Sequence, residues 1–166
     1  MPIYNSGFQQ QSATPGSSVA PFPRGLQLAG PVLPVQVEVP TALANQLRQA
    51  GQMVPVPAPG LALIDTGASV SAVDVTVIQQ LGVQPVGIAT VGTAGGQQQQ
   101  PTFPARLTFP GLNLPPIDFN QLLGSNLAGQ MVAGIGQPLI ALLGRDLLQR
   151  FILVYNGPAA MFTLAF

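Results

Sequence analysis

The sequence predicts a mostly β domain with one to three short helices, and three observations carry that expectation. Eighteen prolines and 19 glycines among 166 residues cut the chain into many short elements. Apolar residues fall in period-2 alternations or in short unbroken runs, the patterns of half-buried and fully buried strands. Helical signals are confined to three brief stretches.

Taken in order, residues 1–26 are rich in Gln, Ser, Pro and Gly without apolar periodicity, and read as a flexible tail ahead of a domain spanning 27–166. PVLPVQVEVP (31–40) alternates Val35, Val37 and Val39 against Gln36 and Glu38, as a half-buried strand does. In TALANQLRQAG, Thr41 can cap a helix, Leu43 and Leu47 lie four apart, and Gly51 can end it. VPVPAPGLALID is extended, with a buried run at Leu61–Ile64 that stops on Asp65. VSAVD (70–74) is strand-like, and Asp74 can cap a short helix over Val75–Leu81 closed by Gly82. Residues 86–109 read as two strands around a Gly-rich tip, whereas 111–130 give no clear signal. QPLIALLGRDLLQRF is a buried strand followed by a helix from about Arg145. FILVYNGPAAMFTLAF is a hairpin around Asn156-Gly157, a pair that accepts positive φ cheaply.

Composition excludes several functions. Charged residues are only 6% of the chain, against roughly 25% in an average soluble domain, and the formal net charge is zero. No basic patch exists to neutralise phosphates, so nucleic acid is not an expected partner. The chain has no Cys and no His, which removes disulfides, thiol chemistry, a Ser-His triad and the usual zinc site. Neither a metal nor a cofactor is expected. No secretory signal or 18-residue apolar run is visible, so the expectation is a cytoplasmic protein with no membrane span. An uncharged, apolar-rich surface favours self-association.

Chemistry is left to Asp, Glu, Ser, Thr, Tyr and Arg, which directs attention to ALIDTGAS (62–69). One Asp-Thr-Gly alone is weak, since it arises by chance in roughly a few per cent of chains this long. Two further stretches occur with it in sequence order: the Gly-rich VGTAGGQ (91–97) and IALLGRDLLQRF (140–151). On these three features the chain resembles the retropepsins, the single-domain aspartic proteases of retroviruses and their cellular and bacterial relatives. The resemblance covers about 30–166, and its C-terminal hairpin is more like the cellular members than the compact viral ones.

What the resemblance implies is a closed β-barrel of the acid-protease type, working as a two-fold homodimer on extended peptide or protein substrates. Asp65, Thr66 and Gly67 would form the catalytic turn. Thr66 would hydrogen-bond across the dimer, and Gly67 would offer its N–H to the carboxylates. Ser69 and the flap residues Gly92, Thr93, Ala94, Gly95 and Gly96 would contact substrate. Arg145 and Asp146 would support the active-site loop from beneath. In the best-known viral pattern an acid two residues after the Gly pairs with that Arg; here the position is Ser69, so the partner of Arg145 stays open between a hydroxyl, a carbonyl, Asp146 and Asp118. A single acid at such a turn in each chain also fits a dimer chemically, because peptide hydrolysis needs both a general acid and a general base. Two carboxyls about 3 Å apart share one proton, since like charges so close do not both ionise easily.

Each residue also has a plain structural reading. Asp65 serves equally as a turn former whose side chain caps backbone N–H groups. Gly92–Gly96 reads also as a loop running into Gln97–Gln100, Asp74 and Asp118 as helix caps, and Tyr155 as hairpin packing. Two other functions are therefore weighed with the protease: a catalytically silent dimerisation or peptide-binding module on the same fold, and a low-charge assembly protein acting through its Gln- and Pro-rich segments.

Overall fold

Strand-forming runs at the centre of the chain curl into a closed sheet, and the termini add a smaller sheet beside it. The computed structural model describes residues 2–10, 20–93, 96–127 and 130–165. The chain opens with β1 (Ile3–Gly7), β2 (Gln9–Gln10), β3 (Ala20–Pro21), α1 (Pro23–Ala29), β4 (Val32–Glu38) and α2 (Thr41–Gln49). It continues through β5 (Ala58–Ile64), β6 (Ala72–Asp74), α3 (Val75–Gln80), β7 (Gly87–Thr93) and β8 (Gly96–Thr108). Last come β9 (Ile117–Ser125), β10 (Leu139–Leu143), α4 (Arg145–Leu148), β11 (Ile152–Asn156) and β12 (Met161–Ala165). The architecture is mostly β with four short helices among the described residues. No helix there is long and apolar enough to cross a membrane.

The large sheet runs β4-β5-β10-β6-β9-β8-β7, and a second pairing of β4 with β8 closes six of its strands into a ring. Closure joins Gln36 to Thr108 and Glu38 to Arg106, which covers the edge that β4 would leave in an open sheet. The ring interior is the core. Val35, Val37 and Val39 point inward from the β4 end, as their alternation predicts, against Phe103, Leu107, Leu122 and Leu143, all buried. β10 lies parallel to β5 and antiparallel to β6, so it is enclosed on both sides, and its run of apolar residues reflects that.

Several expectations are corrected. Residues placed in a tail are built into the fold: β1 pairs with β12 from Ile3↔Ala165 to Gly7↔Met161. Tyr4 there packs its ring against Phe162 at 6.1 Å. α1, the helix beyond the three expected, buries Leu26 completely in the core. These segments lacked a pattern because each contributes only one or two anchoring side chains. Thr41 does not cap α2. It is the first helical residue, and Asp118 on β9 accepts from both its backbone N–H and its hydroxyl, a cap supplied from across the barrel. At the last hairpin, Asn156 and Met161 pair, the loop is Gly157–Ala160, and the positive φ falls on Ala160 rather than on the Asn-Gly pair. Asp74 does cap α3, accepting from Val77 N–H.

The undeciphered stretch 111–130 contains β9. Phe103 pairs with Leu122 but Ala105 pairs with Phe119, so β9 carries one extra residue there. That bulge leaves Asn120 and Gln121 both exposed in succession and breaks the alternation by which a strand is recognised.

Candidate active site

Two parallel strands end side by side, and the loops leaving them build the site. β5 stops at Ile64, and the next N–H, that of Asp65, donates to Leu143 O at the end of β10 (3.0 Å). The chain then turns through residues 65–71 before entering β6 on the other side of β10. Asp65 Oδ1 accepts from Gly67 N–H at 2.9 Å and Ala68 N–H at 3.2 Å, which fixes the carboxylate over its own turn. A Cβ on Gly67 would lie 3.1 Å from Asp65 Oδ1, so the small residue lets the backbone come this close. Oδ2 of Asp65 and the hydroxyl of Thr66 have no partner within the chain among the described residues. Thr66 and Ser69 are exposed and Asp65 is half-buried.

The Gly-Arg-Asp turn after β10 holds this loop in three ways. Its backbone continues the pairing, with Arg145 N–H donating to Ala68 O and Asp146 N–H to Ser69 O. The Arg145 guanidinium donates to Thr66 O (2.8 Å), Gly67 O (3.0 Å) and Ser69 Oγ (2.9 Å). Of the partners left open by the sequence, the arginine therefore takes carbonyls and the hydroxyl, and neither Asp146 nor Asp118. Asp146 instead accepts from Ser71 N–H and Ser71 Oγ, while Ser71 Oγ accepts from Gly144 N–H. Ser71 is buried and sequence reasoning missed it; a lone serine inside an apolar strand run was the available signal. A Cβ on Gly144 would sit 2.5 Å from the backbone carbon of Val70, so only glycine lets the two loops cross.

The expected flap is a hairpin. β7 and β8 pair from Gly87↔Thr102 to Thr93↔Gly96, and Gln97–Gln100 is a strand rather than a loop. Ala94 and Gly95 lie outside the described residues. A cavity of about 390 Å³ opens between the Asp65 turn and this hairpin. Gly67 and Ser69 line it from the turn, Gly92 from β7, and Gln100 from β8. The structure thus brings Gly67, Ser69 and Gly92 around one cavity, with Arg145 and Asp146 behind the loop that carries them. Larger hollows flank α2, at about 430 Å³ and 790 Å³, but neither includes the Asp65 turn.

No family model matches the chain. No curated protein matches it either. Among solved structures it is similar to the solution structure of Simian Foamy Virus (mac) protease, with 16% identity over 70% of this chain and 91% of that chain and a TM-score of 0.38.

Proposed function

We propose that the chain is a retropepsin-like aspartic endopeptidase, active as a homodimer in which Asp65 and Asp65 of the partner subunit share one proton. The observation that carries this reading is the Asp65 carboxylate itself. One oxygen is held by two backbone N–H groups, the other has no partner among the described residues, and the turn is braced against a cleft. In the dyad the ionised carboxylate removes a proton from a water molecule, which attacks the scissile carbonyl carbon. The protonated carboxyl hydrogen-bonds the carbonyl oxygen as it gains negative charge. Collapse of the tetrahedral intermediate breaks the C–N bond, and the acid then delivers the proton to the departing amine.

A second copy is demanded by the chemistry, since each chain brings one acid to the turn. The terminal sheet offers a place for it. Ile3, Ala165 and Ile152 lie in one row and Asn5, Thr163 and Val154 in the next, on the same face. Ile3, Ile152 and Val154 are 60%, 57% and 52% exposed. Asp65→Asn keeps the turn's shape but cannot act as a base, so peptide cleavage falls at least about a hundredfold while circular dichroism is unchanged. Full activity in Asp65→Ala would end the reading.

A silent peptide-binding module is the second reading, favoured by the fact that the Oδ1 hydrogen bonds also suit a non-catalytic turn. Incubation with a peptide library from acidic to neutral pH separates the two, because the module retains peptides without cutting them.

A further inference from the structure

We infer that Gln100 sets the side-chain preference of this cleft, and that the substrate residue seated beside the scissile bond carries a carboxamide, glutamine or asparagine. The inference rests on the peptidase reading above and names the substrate class of that site.

The cavity is lined by the apolar residues Val91, Leu123 and Leu142 and by the polar residues Gln100 and Ser125, and Gln100 shares its face of the β7–β8 hairpin with Val91. No charged side chain lines it among the described residues. A lysine, arginine, aspartate or glutamate entering it gives up water without gaining a counter-charge, so charged residues are rejected. Between neutral residues the polar side chains decide. Ser125 Oγ donates to Gln100 Oε1 at 3.3 Å, which holds the Gln100 amide on the β8 side of the cavity. Its N–H donors have no acceptor among the described residues. A leucine side chain satisfies the apolar side chains and leaves these donors unpaired. A carboxamide lays its methylenes against the same apolar side chains, accepts from Gln100 through its carbonyl, and donates from its own N–H₂ to the Ser125 hydroxyl, so it pairs a donor that leucine leaves bare. A site built to pair a polar substrate group discriminates against analogues lacking it.

The test compares kcat/KM for a peptide series differing only in the residue flanking the scissile bond: Gln, Leu, Glu or Lys. Wild-type protein is expected to cut the Gln peptide about tenfold better than the Leu peptide and at least about a hundredfold better than Glu or Lys. Gln100→Leu reverses the Gln-to-Leu ratio, and Gln100→Glu raises the Lys-to-Glu ratio at least about tenfold. Ratios are read rather than rates, so a general loss of stability does not imitate the result. Cleavage with ratios that ignore position 100, or a wild-type preference for Leu or Lys, overturns this assignment and leaves the peptidase reading standing. Absence of any cleavage by the wild-type protein overturns both.

Discussion

Arg145 reaches three acceptors on the Asp65 loop with one planar group, a task to which the forked guanidinium is suited and an ammonium is not. Arg145→Lys is therefore expected to lower kcat about tenfold, about 1.4 kcal/mol in the barrier, with little change in KM, because the loop stays in place but its acid is held less firmly. Arg145→Ala should also lower stability by about 1–3 kcal/mol, read as a fall in the urea midpoint. Equal kcat in all three proteins removes the brace from the mechanism. The arginine was legible as a support from its place in Gly-Arg-Asp, but its partners were not. Ser69 in the usual position of an acid left several acceptors possible, and two of those chosen are backbone carbonyls that every residue possesses. Ser71 and Asp146 show the same limit, since nothing in either residue type announces a bond across 75 positions of chain.

At the scale of elements, two contacts decide how the pieces meet. Gly144 lets the turn after β10 cross the backbone at Val70, so Gly144→Ala forces the two loops apart. The expected cost is about 2–3 kcal/mol, visible as a lower urea midpoint together with lost activity. A variant as stable and active as wild type shows that the crossing has room. Asp118 caps α2 from β9 and also lies 3.8 Å from Arg106, tying helix and barrel together. Asp118→Ala should lose about 1 kcal/mol and loosen α2, read as faster hydrogen exchange in Thr41–Ala44; unchanged exchange refutes the cap. Strands and helices with regular periodicity were legible before any coordinates, from β4 through α3 and again at β10. β9 and β1 were not. A bulge interrupts the first, and the second is stabilised by pairing with residues near the far end of the chain.

For the whole molecule, the open edge of β11 and the apolar row beside it set the expected assembly. Val154 is half exposed at the centre of that edge strand, and in the proposed dimer a carboxylate there would meet its own copy across the two-fold contact. Val154→Asp should shift sedimentation from a dimer mass towards a single chain. Activity should become dependent on protein concentration, with Asp65 and its turn untouched. A wild-type protein that sediments as one chain and still cleaves peptides rejects the shared dyad. A variant that stays dimeric moves the interface elsewhere and leaves the dyad in place.

The sequence by itself determined the mostly β plan, the helices over α2, α3 and α4, the acid turn after β5 and the Gly-Arg-Asp element after β10. These depend on local chemistry: alternation, unbroken apolar runs, caps and turn residues act within a few positions of one another. The tertiary structure decided the closure of β4 on β8, the use of the N-terminal residues as a strand, the partners of Arg145 and Asp146, and the meeting of Gln100 with Ser125 above the Asp65 loop. Each of these is a contact between distant residues of ordinary type. Such contacts are selected by how the whole chain packs, and packing leaves no pattern along the sequence.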